Sequence, residues 1–567
     1  MAETTRDHAH SAAPSPHSAV VDPSVIARLR AIAGDANVHA SPDEMHGHSL
    51  DIGPFTTRGV AVVFPGSANE VSRLVRVAAD AGLAVWTVSK GKNWGYGAKM
   101  SNENGALILV LERMNRILEV NEELAYAVVE PGVTYGQLNA HLESLGHKLW
   151  ADCTDSTPHA SVLGNALERG VGTTAYADHF GALCGMEVVL ASGALVRTGG
   201  GSADSRARHT YKWGTGPFVD GLFSQSNLGI VTSAGIWLMP APEAMTLFGC
   251  NVDRDEDVPA AADALRRLSL AGVVQPNVHI SNDVLVLANL VQYPYDRLRG
   301  ETRMPPSLRA ELRREHMIAP WTVIGAVYGD RARVANAERE IRRAFRGLGR
   351  VEMIGRRKLA LARAALAPWR RGGRGSLADR IFRRVAHSSL ERTEALQHLH
   401  ATFRGVPGEF VVSFPYFKNR RYAHRSERPL VDVDPARDGC GMTWAVFACP
   451  IAARDTRDFL ACVRPIVERH GFDFSMSLLT INARTFYALL QFFFDRDDPD
   501  ERARVRGLYD EVLDAAPRHG FQQVRASIAS YDRLLEHAPD YAALVGALKR
   551  ALDPENVLAP GRYGVGR

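Results

Sequence analysis

The sequence predicts an α+β protein with more than one hydrophobic core, and three observations carry that reading. A chain of 567 residues is longer than a single core usually serves. A strand, a helix and a second strand follow one another closely over residues 59–88. Beyond Pro240-Ala241-Pro242, helical patterns alternate with β-like segments such as 410–416 (FVVSFPY) and 442–449 (MTWAVFAC).

The elements follow in chain order. The first twenty residues are rich in Ala, Ser, Pro and His and have no apolar run, so residues 1–21 are expected to be a disordered lead-in and not a signal peptide. Order is expected from Asp22. Residues 59–65 read as a buried strand. Ser67-Ala68-Asn69-Glu70 fits a capping box, Val71, Leu74, Val75 and Ala78 follow at helical spacing, and Gly82 sits just past the helix end. Strands are then expected at 83–88, 106–111, 117–120, 125–130, 185–191 and 229–238. The reading divides the chain at 22–243, 244–515 and 516–567.

Composition excludes several classes. A net charge of +4 argues against a dedicated nucleic-acid binder. No run of eighteen apolar residues occurs, so no membrane-spanning helix is expected. The six cysteines (Cys153, Cys184, Cys250, Cys440, Cys449 and Cys462) show no CxxC spacing, which suits free thiols in a reducing, cytoplasmic setting, and no metal site is expected. The stretch 331–384 is dense in arginine, which fits a solvated helix face better than a surface for an acidic partner.

The chemistry begins at Ser89-Lys90-Gly91-Lys92-Asn93-Trp94-Gly95-Tyr96-Gly97, directly after a predicted strand. Three closely spaced glycines let the backbone turn tightly and offer several N–H groups to an anion, although a plain hairpin turn would look the same. It is neither a G-x-G-x-x-G fingerprint nor a Walker loop. The segment resembles the pyrophosphate loop of the vanillyl-alcohol oxidase and 4-cresol dehydrogenase (PCMH-type) flavoproteins. Further segments resemble that family in the same order. They are Val129–Tyr135 (VEPGVTY), Ser161–Gly172 (SVLGNALERGVG), Tyr176-Ala177-Asp178-His179, Gly185–Leu190 (GMEVVL), Gly221–Val231 (GLFSQSNLGIV) and Asp553–Arg562 (DPENVLAPGR).

The resemblance implies a discontinuous FAD domain (22–243 with 516–567) and a cap domain with an antiparallel sheet (244–515). It implies FAD contacts from Lys90, Gly91, Lys92, Asn93, Gly95, Ser161, Gly164, Asn165, Gly172, Glu187, Ile230 and Arg562. It places Asp155 near the flavin as an acid–base group, and Tyr96, Tyr176 and Arg525 around the substrate. Read as residues alone, Asp155 is equally a turn former, the tyrosines packed aromatics, and Arg525 a surface arginine. The implied activity is hydride removal from a benzylic, allylic or alcoholic carbon of a small alcohol or phenol-like substrate. Oxygen or a redox protein would reoxidise the flavin, and a homodimer is compatible with the family. A hydroxy-acid oxidase and a catalytically silent flavin-binding module are the alternatives.

Two departures from the family pattern shape the expectation. Val524 stands where relatives carry the tyrosine of a Tyr-Arg pair, which implies a substrate larger than 4-cresol, or a carboxylated one. No histidine occurs in 439–451, which implies non-covalent FAD, with Tyr416 and Tyr422 the other conceivable tethers. His159 reads as a loop histidine or a second acid–base group.

Overall fold

The computed structural model describes residues 21–199, 204–370, 392–422 and 433–566. The expected lead-in over 1–20 and the arginines at 371–384 lie outside the described residues. The first sheet contains β1 (Val38–His39), β2 (Ala61–Val63), β3 (Val85–Val88) and β4 (Leu107–Val110), in the order β1-β2-β4-β3. Strands β2, β4 and β3 run parallel, as a βαβ connection through the helix Ala68–Asp80 requires. Val71, Leu74, Val75 and Ala78 of that helix are buried against the sheet. Each large aliphatic side chain so buried contributes about 1.5–3 kcal/mol.

The cap of this helix differs from the expected box. Ser67 Oγ accepts from the Glu70 N–H at 3.2 Å, but the Glu70 carboxylate accepts from Gly66, one residue too early for the reciprocal bond. Gly82 takes φ +63° after the last turn, as a C′ glycine does.

The second sheet holds β5 (Ile117–Asn121), β6 (Tyr126–Val129), β8 (Leu183–Val189), β9 (Leu195–Arg197) and β10 (Ile230–Trp237), in the order β5-β6-β10-β8-β9. A short pair, β7 (Leu149–Trp150) with β11 (Met239–Pro240), lies at the exit of this unit. The C-terminal segment returns here. Val85 N–H donates to Val557 O at 2.7 Å, and Ala559 N–H to Val85 O at 2.8 Å. Asp553 explains the DPENV sequence, since its carboxylate accepts from Val557 and Leu558 N–H and from Lys549 Nζ at 2.6 Å.

The third sheet has eight antiparallel strands: β12 (Ala244–Val252), β13 (His279–Asn282), β14 (Trp321–Gly329), β15 (Val351–Ile354), β16 (Met442–Pro450), β17 (Met476–Thr480), β18 (Thr485–Phe493) and β19 (Gln523–Arg525). Their order is β15-β12-β14-β13-β17-β18-β16-β19. The expected boundary at 515 therefore falls too early, because β19 pairs with β16 inside the cap sheet. Side chains alternate across this sheet. Phe248, Ile280, Val323, Phe447, Leu478 and Leu490 face one side, where the helices Val258–Leu270, Arg331–Ala344, Ala453–Arg469 and Pro499–Arg518 complete a single core. The opposite face lines a cavity shared with the glycine loop and residues 154–156.

One expected strand is absent. Residues Val411–Tyr416 form a 3-10 helix. All of residues 412–419 are buried, and a short run buried on every side carries no periodicity by which a strand differs from a helix.

Candidate active site

The glycine loop divides into two halves with different work. Among the described residues, the backbone N–H groups of Lys90, Gly91, Lys92 and Asn93 donate to no other group, which leaves them free for an anion. Gly91 takes φ +63°, the left-handed turn that glycine permits. The second half is committed to the protein itself. Gly95 N–H donates to Asp51 Oδ1 at 3.0 Å and Gly97 N–H to Asp51 Oδ2 at 3.2 Å. Gly95 is thus no part of the anion cradle. A Cβ there would lie 2.6 Å from Trp444 of the cap, so the glycine is a close-packing requirement between the two units.

From this loop runs a cleft of about 180 Å³ bounded by Lys90, Lys92, Ser161, Gly164, Asn165, Ile230 and Arg562. Gly164 is needed because a Cβ would fall 2.1 Å from Ser89 Oγ, and Ser161 fixes that turn by accepting from Gly164 N–H at 2.8 Å. Arg562 lies over the Trp86 ring at 4.8 Å and pairs with Glu168, and its Nε–H is buried without a partner. Lysines, free amides and an unsatisfied guanidinium suit a pyrophosphate, so the residues fit FAD.

Next to the cleft lies a cavity of about 470 Å³, and Asn93, Tyr96, Thr154, Ser156, Asn165 and Arg525 line both. Asp155 stands in its wall, and burial pushes its carboxyl up to about 7. Tyr96 stacks on Trp444 with ring centroids 6.1 Å apart and planes 3° from parallel. The Arg525 guanidinium sits 4.4 Å above the Tyr96 ring, donates to Asn93 Oδ1 through Nη2, and keeps a buried Nε–H without an acceptor. Burial raises the Tyr96 phenol well above its ordinary range, although Arg525 opposes the shift, so the hydroxyl remains a donor near neutrality. Gly172 also belongs to the wall, pressed against Asp152.

Several expected positions lie elsewhere. Tyr176 is 37% exposed and lines neither the cleft nor the cavity. Glu187 points from β8 to Arg197 and Thr232, away from the cleft, because alternation on the strand sends it to the outer face. His159 is a loop residue, 3.7 Å from Glu409 and outside the cavity. Val524 lines neither space, and its carbonyl accepts from Gln225. Tyr416 donates to Asp438 at 2.6 Å, and neither it nor Tyr422 lines the cavity.

Sequence reasoning missed two buried groups. Asp51 ties the glycine loop together, as described above. His179 is fully buried with Nδ1 2.6 Å from Asn165 Oδ1 and Nε2 3.5 Å from Asp152. The Tyr135 hydroxyl also lies 3.0 Å from the same Nδ1, so His179 ties Asn165, which lines both cleft and cavity, to the buried Tyr135. The histidine of Tyr176-Ala177-Asp178-His179 was the available signal.

Comparison with known proteins agrees with this geometry. Residues 60–199 match the family model described as an FAD binding domain. Over 543 residues the chain is 35% identical to 1'-carboxy-chondrochloren decarboxylase of Chondromyces crocatus, covering 95% of this chain and 96% of that one. It is 27% identical to the 4-cresol dehydrogenase [hydroxylating] flavoprotein subunit of Pseudomonas putida, covering 95% of both. The chain belongs to the 4-cresol dehydrogenase (PCMH-type) family of FAD-dependent oxidoreductases. Among solved structures, p-cresol methylhydroxylase with substrate bound superposes with a TM-score of 0.83 at 26% identity, covering 96% of both chains. The isoeugenol complex of 4-ethylphenol oxidase from Gulosibacter chungangensis gives 0.82 at 28% identity, covering 96% of this chain and 97% of that one. The fold and the FAD-dependent activity expected from the motifs therefore hold for this member of the family. Among the described residues no helix is long and apolar enough to cross a membrane.

Proposed function

We propose that this family member removes a hydride from a benzylic, allylic or alcoholic carbon of an aryl substrate, with Asp155, Tyr96 and Arg525 as the groups around the reacting atoms. The observation that carries the reading is that the Arg525 guanidinium, with a buried and unpartnered Nε–H, sits against Tyr96 in a cavity whose lining also includes Asp155, its carboxyl raised to about 7. FAD, when bound, supplies the hydride acceptor. The protein does the rest. Tyr96 and Arg525 both present donors to an anionic substrate oxygen, and a phenolate so held would favour hydride departure from the benzylic carbon attached at its para position. Asp155 takes or returns the proton that accompanies the change of charge. Asn93 holds Arg525 in place. The cofactor is held non-covalently, and oxygen or a redox protein reoxidises it.

A cavity of this size favours a substrate larger than 4-cresol or vanillyl alcohol. A second reading, oxidation with loss of CO₂, is favoured by the printed name of the 35%-identical decarboxylase. There a substrate carboxylate anion becomes a neutral alkene, CO₂ and a transferred hydride, which balances atoms and charge. An anaerobic panel of 4-alkylphenols, aryl alcohols and aryl alkanoic acids, read by flavin bleaching and by released CO₂, tests both. Absence of bleaching by every phenol, alcohol and acid of the panel would remove the proposal.

A further inference from the structure

The cavity is far longer than a simple phenol needs. It is lined by at least one residue from each of the eight cap strands, from Arg525 on β19 and Trp444 on β16 at one end to Glu352 and Ile354 on β15 at the other. Seven inter-strand spacings of roughly 4.8 Å make a lane on the order of 30 Å along the sheet. Alternation sets its character. On the face opposite the helix-packed core, Asn251, Thr322, Ser281 and Ser477 stand in register on four successive strands, Leu489 continues the row, and Ile324, Leu479 and Ile354 flank it. Ser281 and Ser477 hydrogen-bond across neighbouring strands at 3.0 Å. The facing wall is apolar, with Leu285, Leu396, Leu399 and Phe403. At the far end two arginines, Arg350 and Arg392, stand against one carboxylate, Glu352, which lies 3.3 Å from Arg392.

We propose that the substrate is elongated and amphiphilic, with its oxidised aryl head at Asp155, Tyr96 and Arg525, its chain laid across the cap sheet, and an anionic terminus held by Arg350 and Arg392. The position of the head rests on the function proposed above. The lane itself does not. A polar row along the sheet fits a chain with hydrogen-bonding groups along one side, and among the described residues of the far end the excess of one arginine over the carboxylates selects a terminal carboxylate or phosphate.

The test is calorimetric titration of FAD-loaded protein with 4-hydroxybenzoyl amides of ω-amino acids of increasing chain length. Their benzoyl carbon has no hydride to lose, so binding is read without turnover. Affinity is expected to rise with chain length. The longest carboxylate should bind roughly tenfold or more tighter than its neutral methyl ester, and the phosphate monoester of the matching amino alcohol likewise tighter than its neutral dimethyl ester, the usual worth of a charge-assisted hydrogen bond. Comparing the carboxylate with the phosphate identifies the terminus. In the double variant Arg350→Ala/Arg392→Ala the acid-to-ester ratio should collapse toward one. Gly249→Leu should abolish the length dependence. A Cβ at that position has only Val323 O within 4 Å, at 3.7 Å, so the leucine can enter the lane without a clash in the sheet. Affinity independent of chain length, or a methyl ester equal to the acid, would overturn the proposal. Length-dependent binding by a protein that no phenol, alcohol or acid bleaches would leave the lane standing and remove the oxidation chemistry instead.

Discussion

Replacing Asp155 with asparagine separates the chemical use of this carboxyl from its effect on the fold. With its carboxyl raised to about 7 by burial, roughly half the molecules carry an ionised Asp155 at neutral pH. A proton acceptor must be ionised, so the rate of flavin reduction by a bleaching substrate should climb through pH 7 and level off above it. Asparagine keeps the shape but takes no proton. Reduction should fall by about 10²–10⁴-fold, and the residual rate should lose that pH step. Stability should move the other way. The folded pKa lies above the unfolded value of about 3.9, so the contribution of Asp155 is full below that value and is lost as pH rises through 7. Three pKa units correspond to at most about 4 kcal/mol, and the opening of the cavity to solvent reduces this to about 1–2 kcal/mol. The variant should match the parent protein near pH 4 and exceed it near pH 9. Anaerobic stopped-flow and thermal unfolding over the same pH series measure both effects. An unchanged reduction rate, or a pH step that persists in the variant, would place Asp155 outside the mechanism.

Three further outcomes follow from the geometry. Acid precipitation should release FAD to the supernatant, since neither Tyr416 nor Tyr422 lines the cavity; colour retained in the pellet would show a covalent tether. Arg525→Ala should weaken phenolate or carboxylate ligands by roughly ten- to a hundredfold while neutral alcohols change little, and equal effects on both would dismiss the anion pocket. Asp51→Ala should lower both the unfolding temperature and FAD affinity by leaving the Gly95 and Gly97 amides unsatisfied, at about 1–3 kcal/mol each, with Asp51→Asn restoring part of the loss; normal FAD affinity in Asp51→Ala would mean the loop holds its shape without it.

The sequence made the first two sheets legible because their strands are short apolar runs punctuated by capping serines and glycines, and period and punctuation are local signals. Asp553 and Arg562 were reachable through a motif, although only the fold shows what they hold. Glu187 shows where motif reasoning ends. It sits in a segment that resembles the family motif, yet a strand residue faces one side or the other, and this one faces a surface pocket away from the cleft. Gly95 failed for a related reason. A glycine-rich loop advertises free amides, but whether each is free depends on an acid 44 residues earlier in the chain. Asp51 lies in an unremarkable polar stretch and gains its role only when the chain returns. The lane across the cap has the same origin. Asn251, Ser281, Thr322 and Ser477 are scattered over 226 positions, and each alone reads as an ordinary polar residue on a half-buried strand. Only the strand order, which no local pattern encodes, lines them up. The part of a site that supplies chemistry can be carried by short motifs, while the part that chooses the substrate is assembled from alternate residues of strands far apart in sequence. In this chain, family likeness therefore identifies the FAD-dependent reaction class, and the proposed specificity rests on cap residues that only the order of the eight strands brings together.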